Sequence, residues 1–178
     1  MYERHQHEQY FFNQATITHL ADFGQEFTHP CCLCTPMVGR ELVRRRVKVT
    51  ILDNDERFAD LPSFQKYDLY RPVWLGQNFD LILCDPPFFN VSLAQLFQAI
   101  RLLSRYDTNQ PLLICYLKRR EANLLGTFAA FNLQPTGYNP GYLTVQMVER
   151  NEIEFYSNLP PEKIETLIKF EFRVQSES

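Results

Sequence analysis

Glycine is scarce in this chain, at six of 178 residues, and only Gly39 falls in the segment behind the first predicted strand. A glycine-rich turn is therefore absent there. No apolar run approaches the length needed to span a bilayer, so no transmembrane helix is expected. Residues 1–9 are polar and include Glu3 and Glu8, which fits neither a signal peptide nor a transit peptide. A flexible leader and a cytoplasmic protein are the expectation. Zinc chemistry lacks its ligands: Cys31 and Cys34 have C-x-x-C spacing, but no second Cys or His pair is suitably placed. The five cysteines read as reduced thiols, with no metal. A basic excess is also missing. The net charge of −3 counts against tight, unaided binding of nucleic acid, which a positive balance usually accompanies.

What remains is an ordinary globular composition, 45% apolar and 22% charged, in a chain long enough to bury a core. Residues 10–178 read as a single domain without internal repeat or low-complexity linker. Strands are expected at residues 31–34, 47–52, 64–67, 79–84 and 111–117. Helices are expected at 14–27, 37–46, 92–105 and 121–131, with Asn13 as an N-cap and Pro36 in a first turn. Closely linked strands at 133–138, 143–149 and 153–158 follow, then a helix or extension at 162–172. This alternation, closed by antiparallel strands, predicts an α/β doubly wound sheet.

The chemistry concentrates where the strand at 79–84 stops. Asp85-Pro86-Pro87-Phe88-Phe89 ends the ladder, because proline has no N–H to donate and a fixed φ. In open α/β sheets this edge is where ligands bind. A planar amine presents two N–H donors and a π face. Asp85 can accept one hydrogen bond, the Pro86 carbonyl the other, and Phe88 can stack on the ring. Accepting both protons pushes the nitrogen lone pair towards an electrophile. Phe88 and Phe89 could instead be core after a simple turn. Asp53 closes the second strand, where an acid can accept both ribose hydroxyls of a nucleoside cofactor or cap the next helix. Lys118, Arg119 and Arg120 follow the fifth strand at the same edge, as ligand-facing cations or as a solvated charge run.

Asp85-Pro86-Pro87-Phe88 resembles the catalytic motif of S-adenosylmethionine-dependent amino-group methyltransferases. With Gln9-Tyr10-Phe11-Phe12-Asn13 and Thr16, Leu52-Asp53-Asn54-Asp55, and Phe79-Asp80, it resembles the N6-adenine methyltransferase-like family over residues 9–164. That family includes a zinc-finger ribosomal-RNA adenine methyltransferase and an elongation-factor lysine methyltransferase. Phe155-Tyr156-Ser157-Asn158-Leu159-Pro160-Pro161 is also similar to the RNA enzyme.

The resemblance implies the Rossmann-like seven-stranded class I sheet, mostly parallel with an antiparallel strand near one edge. It implies S-adenosylmethionine as cofactor, met by Phe12 and Asn13 folding over it, by a Thr35-Pro36 turn in place of glycines, by Asp53 and by Asp68. Phe12 could equally be a hydrophobic staple, and Asp68 a turn residue. Catalysis falls to Asp85, Pro86, Pro87 and Phe88, and substrate contact to Phe89, Lys118, Arg119 and Arg120. The implied acceptor is N6 of adenine, in RNA before DNA; a protein lysine or a silent scaffold are the alternatives. Without zinc fingers, RNA affinity would rest on Lys118, Arg119 and Arg120 or on a partner subunit.

Overall fold

Short apolar runs set the centre of the sheet. In the computed structural model, which describes residues 1–7, 9–145 and 152–176, strands β1 (Pro30–Leu33) and β4 (Leu81–Cys84) pair in parallel with every residue buried. Strands β2 (Thr50–Asp53), β3 (Phe64–Lys66) and β5 (Leu112–Leu117) extend them in parallel. Strand β7 (Ile153–Ser157) runs antiparallel between β5 and the two-residue β6 (Gln134–Pro135). The sheet has seven strands in the order β3-β2-β1-β4-β5-β7-β6. The order reverses between β1 and β4, the switch point at which such sheets open a crevice.

Strand side chains alternate faces, so each strand feeds two cores. Leu81, Leu83, Leu113 and Cys115 pack with helices α1 (Gln14–Gly24) and α2 (Pro36–Arg44). Ile82, Cys84, Leu112, Ile114 and Tyr116 pack with α3 (Leu93–Leu103) and α4 (Glu121–Thr127). The final helix α5 (Pro161–Ser176) lies against α1, where the buried His19 ring contacts the Leu167 carbonyl at 2.5 Å. Local signals set the helix starts. Asn13 caps α1 by accepting the Thr16 N–H, and Ser92 and Gln95 form a reciprocal capping box on α3.

The sequence places too much regular structure in several stretches, among them residues 47–49 and 79–80, which precede β2 and β4 without strand pairing. Helix α1 ends at Gly24 rather than residue 27. The helix expected to residue 131 stops at Thr127 and continues as a 3-10 turn, Ala129–Phe131, with Asn132 in the left-handed region at φ 57°. The strand expected at 133–138 shrinks to β6. Of the strand expected at 143–149, residues 143 and 144 form a bend; residues 146–149 and the turn at 150–151 lie outside the described residues. Residues near the N-terminus make defined contacts: Glu3 accepts the Phe11 N–H at 2.8 Å, and the Tyr2 carbonyl accepts from Arg57 at 2.7 Å. Among the described residues no helix is long and apolar enough to cross a membrane.

Candidate active site

A cleft of about 420 Å³ opens at the C-terminal edge of β1, β2 and β4. Its floor is the turn from β1 into α2. That turn needs a residue in the left-handed region, and with no glycine available Cys34 takes it, at φ 57°. The Cys34 N–H is held by the Leu52 carbonyl at 2.8 Å, and Pro36 starts α2 where a missing N–H costs nothing. Gly39 has a different task. A Cβ there would stand 2.5 Å from Ile51 Cγ1, so its bare backbone lets α2 pack down onto β2.

One wall carries acids. Asp53 ends β2 with its carboxylate accepting the Asp55 N–H at 2.8 Å, and burial pushes its carboxyl up to about 6. Asp55 is turned inward. It caps the next turn, pairs with Arg57 at 2.6 Å and accepts from Gln9 at 2.7 Å, and these partners outweigh burial and hold it down at about 2. Gln9 also accepts from Arg57 at 2.6 Å, so the Asp55–Arg57 pair fixes the segment that leads to Tyr10 and Phe11 at the cleft. Asp68 lines the cleft while accepting the Tyr70 N–H at 2.9 Å, so it is also a turn residue.

The opposite wall is residues 85–91. The Asp85 N–H bonds the Leu33 carbonyl at 3.3 Å, completing the last rung between β4 and β1 before the prolines release the chain. Asp85 keeps part of its surface open to the cleft; burial of the rest pushes its carboxyl up to about 7, against the opposing hydrogen bonds of Tyr142 and Cys115. The Tyr142 hydroxyl donates to Asp85 Oδ1 at 3.0 Å and lies 3.4 Å from the Cys115 thiol. Phe88 lines the cleft and meets Tyr116 edge-on, with ring centroids 5.5 Å apart. Its carbonyl accepts from Arg120 at 2.8 Å. The Tyr70 hydroxyl donates to the Asn90 carbonyl, tying the two walls together at the mouth.

Of the residues singled out by sequence, Pro36, Asp53, Asp68, Asp85, Pro86, Pro87, Phe88 and Phe89 meet in this cleft. Phe12, Asn13 and Thr35 do not line it. Phe12 points into the core against Tyr142 and Phe155, and Tyr10 and Phe11 reach the cleft in its place. Asn13 is spent on its cap, and the buried Thr35 hydroxyl donates to the Leu83 carbonyl at 3.5 Å. Lys118, Arg119 and Arg120 also stand off the cleft lining. Lys118 pairs with Glu152 at 3.0 Å, Arg119 lies 5.8 Å from the Phe89 ring centroid, and Arg120 braces Phe88. Tyr142 is the residue that sequence reading passed over; its only local signal is the Asn139-Pro140-Gly141 turn just before it. Among the described residues, no cluster of three or more His, Cys, Asp or Glu could hold a metal ion.

Residues 3–161 match the family described as probable N6-adenine methyltransferase. No curated protein sequence gives a significant match. Among solved structures, a putative RNA methyltransferase from Pyrococcus horikoshii is 13% identical with a TM-score of 0.59, over 88% of each chain. A TehB-like SAM-dependent methyltransferase from Corynebacterium glutamicum is 15% identical with a TM-score of 0.52, over 80% of this chain and 85% of that one. A SAM-dependent methyltransferase from Leishmania major is 8% identical with a TM-score of 0.52, over 86% and 72%. These likenesses identify the fold as the Rossmann-like class I methyltransferase sheet. The cofactor is S-adenosylmethionine, and the cleft fits it. Its volume suits a nucleoside-sized ligand, Asp53 retains acceptor capacity for ribose hydroxyls beyond its bonds to the Asp55 and Asn54 backbone, and Tyr10, Phe11 and Leu69 offer apolar surface. Matched over most of its length, the chain belongs to the probable N6-adenine methyltransferase family and is an S-adenosylmethionine-dependent methyltransferase.

Proposed function

We propose that the protein methylates the N6 amine of adenine in RNA. The observation that carries this reading is Asp85, at the end of β4, sharing one cleft with Pro86, Phe88 and the cofactor wall at Asp53. The family match and the RNA methyltransferase among the structural neighbours support it.

S-adenosylmethionine supplies an electrophilic methyl group whose sulfur is a good leaving group. The protein's work is positioning. The hydrogen bond from Tyr142 occupies Asp85 Oδ1 and orients the carboxylate, so that Oδ2 serves as acceptor for one amine proton. The Pro86 carbonyl, on backbone stiffened by two prolines, accepts the second. Phe88 stacks on the base, and its backbone is braced by Arg120. Two accepted protons turn the nitrogen lone pair out of the ring's conjugation and towards the methyl group. Methylation places a positive charge on nitrogen, and Asp85 is the nearest base to take the surplus proton. Burial that raises its carboxyl to about 7 suits it to that task near neutral pH. An unpaired adenine is the cheaper substrate, since a paired one must first be flipped out of the duplex.

The test is methyl transfer from labelled cofactor to single-stranded RNA, duplex RNA and whole protein extract, with nucleoside digestion of the product. N6-methyladenosine from single-stranded RNA, lost in Asp85→Ala while cofactor binding persists, is the expected result. Label confined to lysine would move the substrate to protein. Cofactor binding without transfer to any acceptor would support a silent scaffold.

A further inference from the structure

The cations of this chain differ in their neighbours. Arg44, Arg45, Arg57, Lys66, Lys118 and Lys169 are ion-paired with carboxylates. Among the described residues, Arg101, Arg105, Arg119 and Arg120 have no such pair and lie on aromatic rings instead, as Lys163 does on Phe27. The guanidinium-to-centroid distances are 4.8 Å for Arg101 on Tyr106, 5.2 Å for Arg105 on Trp74, 5.8 Å for Arg119 on Phe89 and 5.5 Å for Arg120 on Tyr116.

Three of those rings are exposed: Phe89 by 64%, Tyr106 by 59% and Trp74, the chain's one tryptophan, by 50%. Tyr70, at 57%, stands between them at the cleft mouth. An exposed ring beside an unneutralised guanidinium costs solvation and gains little stability. It suits a ligand that is both anionic and made of flat rings.

Topology joins these pairs into one track. Residues 67–80 carry the chain from the cleft end of β3 back to the start of β4, and so run the height of the sheet beside α3. At the upper end the Tyr70 hydroxyl reaches the Asn90 carbonyl, next to Phe89. At the lower end Arg105, just past α3, donates to Asn78 at 3.3 Å and covers Trp74. The acids in and beside this stretch are each engaged by backbone: Asp68 accepts the Tyr70 N–H, Asp80 the His29 N–H and Asp107 the Asn109 N–H, all at 2.9 Å.

We propose that this track, from Phe89 and Arg119 past Tyr70 to Trp74 and Arg105, binds the unpaired RNA flanking the target adenine. Bases stack on the rings and phosphates meet the arginines. The inference rests on the RNA reading of the cleft. It also gives a chain of net charge −3 a local set of guanidinium–ring pairs on which a polyanion can be held.

The test uses the intact protein with a single-stranded RNA about ten nucleotides long and a central adenine, read by fluorescence anisotropy against salt and by methyl-transfer kinetics. Trp74→Ala should weaken binding by about fivefold or more, the loss of one stacked base, and leave the salt slope unchanged. Arg105→Gln should reduce that slope by about 0.7, one phosphate contact on a single strand. Both should raise KM for the long RNA with kcat held. Arg44→Gln, a cation already paired with Glu41, is the control and should change neither. Unchanged KM and unchanged slope in the two track variants, with wild-type transfer to RNA intact, would overturn the track and leave the cleft reading standing. No RNA binding or transfer by the wild type would overturn both.

Discussion

The Tyr142 hydroxyl lies 3.0 Å from Asp85 Oδ1, joining residues 57 positions apart in sequence. Tyr142 is brought there by backbone pairing with the N-terminal segment. Phe12 and Tyr142 form an antiparallel bridge, the Gly141 carbonyl accepts the Asn13 N–H at 2.8 Å, and a Cβ on Gly141 would collide with the Asn13 side chain. The same short pairing sets one wall of the cleft and orients the acid on the other.

Removing that hydroxyl should retune Asp85. The hydrogen bond favours the carboxylate, so Tyr142→Phe leaves a carboxyl with a pKa above its present value of about 7. If the carboxylate is the form that accepts the amine proton, activity of the wild type rises with pH through about 7. In Tyr142→Phe the rise should move to higher pH, with kcat at pH 7 down about tenfold and recovered in part at pH 9. A pH profile of kcat/KM checks this. A uniform loss at all pH values would show that Tyr142 acts by packing alone.

Asp85 itself should cost the fold stability in return for function. Its folded pKa, about 7, lies above the ordinary value of 3.8. The folded state therefore holds the proton more tightly than the unfolded chain, and stability falls as pH rises between those two values. Asp85→Asn removes this penalty and keeps an oxygen for Tyr142. It should raise stability by on the order of 2 kcal/mol at pH 8, with the gain vanishing near pH 4, while abolishing methyl transfer. Thermal melts at both pH values decide it.

Much of this architecture is legible in sequence because breakers bound the strands. Pro30, Asp53 and Asp85 each stand at or beside a strand end, and the acids that matter follow from those ends. What sequence could not decide is the facing of irregular chain. In residues 10–13 a shift of one residue exchanges which aromatic looks into the cleft. Its register is set by the bridge to Tyr142, a contact between distant segments, so Phe11 rather than Phe12 reaches the site. The run at Lys118, Arg119 and Arg120 cannot be read as one unit for a related reason. A cation's availability depends on its neighbours in space, and Lys118 meets acids from β7 and the residue before it.

Gly39 should tolerate no side chain. Gly39→Ala sets a methyl 2.5 Å from Ile51 Cγ1 and 2.8 Å from its Cδ1, inside a fully buried interface of α2 with β2. The helix must shift or Ile51 must leave its rotamer, at a cost of about 1–3 kcal/mol despite the better helix propensity of alanine. Because α2 starts at the cleft floor, cofactor affinity should fall as well. In an Ile51→Ala background, which lacks both crowded carbons, Gly39→Ala should cost less in each than it does alone. Denaturant melts and cofactor titration of the single and double variants test this. Independent, additive losses would place the strain elsewhere.

Asp53 should make cofactor binding depend on pH in the acid range. Burial raises its carboxyl to about 6, and the charged form is the better acceptor for a pair of ribose hydroxyls. S-adenosylmethionine affinity should therefore be full above pH 7 and weaken as pH falls through about 6. Asp53→Asn should bind more weakly at pH 8, by roughly tenfold for the loss of charged hydrogen bonds, and show a flat response between pH 5 and 8. Calorimetric titration across that range separates the cause. Asp55 cannot supply the same response, because Arg57 and Gln9 hold its carboxyl at about 2, ionised throughout. A slope that survives in Asp53→Asn would have to come from another group at the cleft. Asp85 titrates near 7, and the double variant with Asp85→Asn would then carry the answer.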